Sequence, residues 1–88
     1  MPKMIITHAV VNLEQWLNGK DERVADFAPY ATNVTDYVAA DGSNNAAVSA
    51  DIHDMAGLQA MMASPSPEVA ARAESHGVIR PETVYIEK

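Results

Sequence analysis

The chain has 88 residues, no cysteine and a formal charge of −6. That length indicates one domain spanning residues 1–88; the absence of cysteine excludes disulfides and thiolate metal sites. The six basic residues, Lys3, Lys20, Arg23, Arg72, Arg80 and Lys88, are scattered rather than clustered, which argues against nucleic acid and against an anionic membrane surface as partners.

Met4–Val11 (MIITHAVV) is β-branched and reads as a first strand. Thr7 and His8 interrupt it, and it is far too short to cross a bilayer. The N-terminus lacks a signal-peptide core, so a cytoplasmic location is expected. Asn12 follows as a helix N-cap, with Gln15 in the reciprocal capping position and Val11 able to staple onto Trp16. Leu13, Trp16, Leu17, Lys20, Val24 and Phe27 keep helical spacing, weakened by Gly19 and ended near Ala28 by Pro29. Asn33–Ala40 is a second strand, and Asp41-Gly42 marks a hairpin.

The third strand, Asn45–His53, has two distinct faces. Ala46, Val48, Ala50 and Ile52 suit a helix-covered core, whereas Ala47, Ser49, Asp51 and His53 grow steadily more polar. Asp54 caps a second helical segment through Leu58, Met61 and Met62, which Ser64-Pro65 interrupts. Ser66 then caps a further piece with Pro67 at its first position, running to about His76, and Gly77 closes it. Pro81–Glu87 is the fourth strand, with Val84 and Ile86 opposed to Thr83 and Tyr85. The order β-α-β-β-α-β is that of a ferredoxin-like α+β fold, a four-stranded antiparallel sheet with helices on one face. A lone core of this size is only marginally stable, so the uncovered face predicts a homodimer or higher homo-oligomer, or a small-molecule ligand.

Strand one running into Val11-Asn12-Leu13-Glu14-Gln15-Trp16, the Asp51/His53 end of strand three, the segment Asp54–Ala60, and Ser66-Pro67-Glu68, His76-Gly77-Val78 and Pro81–Tyr85 together resemble the small dimeric α/β-barrel proteins. These include antibiotic-biosynthesis-type monooxygenases, stress-responsive barrel proteins and polyketide cyclases. The resemblance covers nearly the whole chain. It implies a homodimer with facing sheets and, in many relatives, chemistry on an aromatic or polyketide substrate without metal or organic cofactor. No role for His53 carries over, because the superfamily often has tryptophan there. The cyclase pattern is incomplete here: His8 and His76 are present, but the second helical region has no tyrosine.

Among the residues themselves, Asp51 and His53 share a strand face, and with Tyr37 on the neighbouring strand they would make an oriented base: the carboxylate fixes the imidazole tautomer. The plainer reading is a polar strand end with a solvated His53. His8 is a second candidate base, able to share a pocket with His53 if strands one and three are neighbours, although a lone histidine on an apolar face is ordinarily a packed one. His8, Asp51 and His53 also form a possible two-histidine, one-carboxylate metal set, but nothing in the spacing requires it and no metal is expected. Haem would need an apolar, aromatic-rich pocket around His53 or His76, and aromatic content is only 6%. No cofactor is expected. Tyr37, Tyr85, Trp16 and Ser49 are candidate substrate contacts, and Met55, Met61 and Met62 are core or pocket lining. The functional expectation is a monooxygenase or cyclase/isomerase acting on an aromatic or polyketide-like compound. The alternative is a non-catalytic ligand-binding or oligomer-assembly module.

Overall fold

A computed structural model of the protein describes residues 2–88. Eight elements follow in the order β1 (Lys3–Val10), α1 (Leu13–Asn18), α2 (Lys20–Phe27), β2 (Ala31–Val38), β3 (Asn45–Ile52), α3 (Met55–Ala63), α4 (Pro67–Ser75) and β4 (Val78–Ile86). The strands form one antiparallel sheet in the order β2-β3-β1-β4. This is the ferredoxin-like arrangement, with each helical region divided in two.

Alternation decides which face is covered. Met4, Ile6 and Val10 of β1 and Ala46, Val48, Ala50 and Ile52 of β3 are all buried; Leu58 of α3 packs onto Met4, Ile6, Val48, Ala50 and Ile52, and Trp16 of α1 onto Val10 and Ala46. The caps read from the sequence are present. Asn12 Oδ1 accepts from the Gln15 amide at 2.9 Å, Asp54 Oδ1 from the Gly57 amide at 2.9 Å and Ser66 Oγ from the Val69 amide at 3.3 Å. Gly77, at φ 75°, closes α4 in the left-handed region.

Local details depart from expectation where a distant partner wins. The Gln15 side chain does not reach back to Asn12; its Nε2 donates to the Ser75 carbonyl at 2.7 Å, tying α1 to the end of α4. Val11, the expected staple residue, is 63% exposed. Gly19 divides the first helical region into α1 and α2 rather than merely weakening one helix. β4 begins at Val78, ahead of Pro81, because Arg80-Pro81-Glu82 form an irregularity opposite His8 within the strand. β2 carries a second irregularity between Thr32 and Thr35, where Asn33 takes φ 55°.

Candidate functional site

The uncovered face of the sheet carries most of the residues singled out from the sequence, but they do not assemble as one unit. Lys3 on β1 pairs with Asp51 on β3. Its Nζ donates to Asp51 Oδ1 at 2.9 Å, while Asn33 Nδ2, presented by the β2 irregularity, donates to Oδ2 at 2.7 Å. Both carboxylate oxygens are therefore engaged away from His53, which is exposed just beyond the end of β3. Tyr37 and Ser49 do meet: the tyrosine hydroxyl lies 2.8 Å from Ser49 Oγ, and Ser49 is buried beneath it. Tyr85 sits on the opposite edge strand from Tyr37, opposite Ile5, and is largely exposed.

His8 is separated from Asp51 and His53, although it borders the same open groove as Tyr37. It pairs with Ala46, seven residues before His53, a separation of about 23 Å along a strand. Its ring turns to the helix side, where its centroid is 5.6 Å from that of Trp16 at an interplanar angle of 73°. The expected shared pocket of His8 and His53 is thus not formed, and the same register separates the three members of the possible metal set. Among the described residues, no group of three His, Asp or Glu side chains is arranged to hold a metal ion.

The hydrogen bond from Asn33, followed by that from Lys3, holds the Asp51 carboxyl below its ordinary value of 3.8. The same pairing raises Lys3 above its ordinary 10.5. A depressed carboxyl stabilises the fold above its unfolded-state value, and this contribution is lost as pH falls through the folded value. The raised ammonium contributes below its unfolded value and is lost only at strongly alkaline pH. Asp51→Asn is therefore expected to lower the melting temperature slightly at pH 7, with the difference from the parent protein shrinking as pH falls below 3.8 and through the lower folded-state value. Parallel melts at pH 7 and at low pH check this; an undiminished difference at low pH contradicts it.

The more organised cluster lies between the helices and the sheet, and the sequence reading did not identify its central member. Arg23 is 8% exposed. Its Nε donates to Asp36 Oδ1 at 3.2 Å, and its Nη2 donates to Asp36 Oδ2 at 2.9 Å and to the Trp16 carbonyl at 3.0 Å. The guanidinium carbon lies 4.1 Å from the centroid of the Trp16 ring, within cation–π range. The signal for this was present: Arg23 follows Trp16 by seven residues and precedes Phe27 by four, so it falls on the inward stripe. Its Nη1 is buried and has no protein partner.

Beside it sits His76, 6% exposed at the C-terminal cap of α4, with Nε2 3.0 Å from Glu22 Oε1 on α2. Its ring lies against Gly19. A Cβ there would come within 2.4, 2.5 and 2.6 Å of three His76 ring atoms. The glycine at the α1–α2 break is thus the seat of the imidazole. Gly19→Ala is expected to displace the ring, break its bond to Glu22 and destabilise the fold by about 1–3 kcal/mol. Altered His76 ring resonances in an imidazole NMR spectrum, together with a lowered denaturation midpoint, check this; an unmoved ring contradicts it.

Arg23 and His76 both border a half-open cavity of about 110 Å³ between α2, α3, α4 and β4. Phe27, Met61, Met62 and Val69 supply its apolar wall, and exposed Arg80 stands at its rim. A concave apolar space with a few convergent polar groups is the usual form of a small-molecule site.

Solved structures with the same architecture cover essentially the whole chain. An antibiotic biosynthesis monooxygenase superposes with a TM-score of 0.66 at 17% identity, over 100% of this chain and 97% of that one. SnoaB, a cofactor-independent oxygenase from Streptomyces nogalater, superposes with a TM-score of 0.71 at 12% identity, over 99% and 92%. Rv0793 from Mycobacterium tuberculosis superposes with a TM-score of 0.62 at 14% identity, over 100% and 94%. No family model and no curated protein matches the sequence. The fold expected from the strand and helix order is therefore the fold observed.

Proposed function

We propose that this chain, which has the fold of the antibiotic biosynthesis monooxygenases, binds a small aromatic molecule in the cavity between its helices and its sheet and oxygenates it without an organic cofactor. The observation that carries this reading is the concave space itself, where Phe27, Met61, Met62 and Val69 meet Arg23, Asp26 and His76 in a fold shared with the monooxygenases. His76, oriented by Glu22, is the proton acceptor for a phenolic hydroxyl in this reading. The substrate is the reductant: a dihydroxybenzene and O₂ give a hydroxyquinone and water. Tyr37, Ser49, Asp51 and His53 then belong to the outer face of the sheet rather than to the reaction.

An oxygen electrode tests the chemistry. With hydroquinone in chelator-treated buffer, uptake should exceed the rate without protein and should fall at least tenfold in His76→Gln. Uptake no faster than that of buffer, with hydroquinone and with larger phenols alike, contradicts the oxygenase reading.

The second part of the proposal is a homodimer formed through the uncovered sheet face. Ile5 and Ile79 are 39% and 43% exposed there, beside Tyr37 and Tyr85. Exposed apolar area gathered on one sheet face is a common mark of an interface. Light scattering at micromolar concentration should report twice the chain mass, and Ile5→Lys should shift the equilibrium towards monomer. A parent protein that is monomeric under these conditions contradicts the assembly.

A further inference from the structure

We infer that the ligand of this site carries a zwitterionic end, as a free aromatic α-amino acid does, with its carboxylate on Arg80 and its ammonium on Glu82 at the mouth of the cavity. The inference rests on the reading of this cavity as the ligand site and names the class of molecule it takes.

The charges around the cavity are paired on the inside and left open at the mouth. Arg23 is held by Asp36, Arg72 by Asp26 and His76 by Glu22. Arg80 and Glu82 border the same cavity, yet among the described residues neither has an ion-pair partner, and they do not pair with each other. What remains unmatched is one positive and one negative group.

The strand puts both on one side. β4 is an edge strand, and its irregularity runs through Arg80-Pro81-Glu82. Pro81 borders the groove on the uncovered sheet face, whereas Arg80 and Glu82 border the helix-side cavity. To that side β1 and β3 present Met4, Ile6, Val48 and Ile52, all buried. Two opposite charges thus stand on β4 where the neighbouring strands are apolar. Glu82 is half-buried. A partly desolvated carboxylate without a counter-ion costs free energy, and a ligand ammonium offsets that cost.

Arg80 supplies the complementary half. A guanidinium recognises a carboxylate best through two parallel N–H groups. In Arg23 and Arg72 the Nε/Nη2 edge is taken by Asp36 and Asp26, whereas Arg80 keeps its fork free for a ligand. A plain anion at Arg80 would face the Glu82 carboxylate, and a plain amine at Glu82 would face the Arg80 guanidinium. A molecule with both signs satisfies both groups. The end group also has room, because a second, open space of about 470 Å³ adjoins the cavity at Arg80 and Glu82.

Methionine-methyl NMR of the full chain at pH 7 tests this with four phenols that differ in the charge of the tail: 4-ethylphenol, tyramine, 3-(4-hydroxyphenyl)propionate and L-tyrosine. L-tyrosine should shift the Met61 and Met62 methyls saturably, leaving Met4 unmoved. Ion pairs at an open mouth are individually weak, so it should bind about tenfold more tightly than uncharged 4-ethylphenol, and more tightly than either singly charged probe. Arg80→Gln should weaken L-tyrosine and the propionate at least threefold and leave tyramine no weaker. Glu82→Gln should weaken L-tyrosine and tyramine at least threefold and leave the propionate no weaker. The four probes on the parent protein decide the matter even if a variant disturbs the cavity. L-tyrosine binding no more tightly than 4-ethylphenol overturns the inference while leaving the ligand-site reading intact. Tightest binding of the propionate, or of tyramine, overturns it as well, because the mouth then reads one charge only. If none of the four moves Met61 or Met62, the ligand-site reading itself fails.

Discussion

Asp36→Ala is expected to destabilise the protein by about 3–5 kcal/mol, because it leaves the Arg23 guanidinium buried without a counter-ion. The Asp36 side chain is 6% exposed and Arg23 9%. The other cation near Asp36 is Lys20, whose Nζ lies 4.0 Å from Oδ2 and whose side chain is 45% exposed. Lys20 therefore cannot replace the carboxylate as partner to Arg23, being itself a cation, and Lys20→Ala should have little effect. The paired replacement Arg23→Met with Asp36→Leu should recover most of the lost stability, since a buried ion pair is often matched by apolar residues of similar volume. Urea denaturation of the parent, Asp36→Ala, Lys20→Ala and the double variant measures these differences. If the double variant is as unstable as Asp36→Ala, the loss comes from packing rather than from an orphaned charge.

Trp16→Ala is expected to remove about 3–5 kcal/mol, the usual range for deleting a large aromatic from a core. Trp16 is fully buried and forms a second core cluster with Val10 and Ala46, apart from the main one under Leu58. It also carries His8 on one side and Arg23 on another. A domain of this length is ordinarily stable by about 4–13 kcal/mol in total, so the variant should stand near the edge of folding at 37 °C. Trp16→Phe should be much milder. The indole Nε1 is buried without a partner, so phenylalanine forfeits area but no hydrogen bond. A Trp16→Phe melt as low as that of Trp16→Ala contradicts this.

The strands and caps were legible because they depend on nearest neighbours in sequence. Alternation along Asn45–Ile52 gives the buried set Ala46, Val48, Ala50 and Ile52 directly, and Asp54 and Ser66 mark helix starts by their own chemistry. The site was less legible because it depends on register and on pairs distant in sequence. Asp51 and His53 share a face, but which residue of β1 lies opposite Asp51 is set by the sheet, and Lys3 takes the carboxylate. His8 lies on an apolar face, as read, but its distance from His53 follows from that same register. Arg23 was overlooked because a charged residue in a polar helix ordinarily faces solvent. Its burial is intelligible only with Asp36, thirteen residues on. His76 was read as a helix-end residue, and it is one. That its ring rests on Gly19, and that a helix break therefore serves a buried imidazole, becomes visible only when α1, α2 and α4 are packed together.

In the proposed reading the ligand belongs between the helices and the sheet, beside His76, rather than on the uncovered sheet face. A crystal soaked with 4-bromophenol tests it in one measurement, because the bromine reports its own position by anomalous scattering. A bromine peak is expected in the cavity walled by Phe27, Met61, Met62 and Val69, with the phenol oxygen within hydrogen-bond distance of the His76 ring. A bromine peak confined to the outer sheet face beside Tyr37 and Ser49, with the cavity empty, would contradict it.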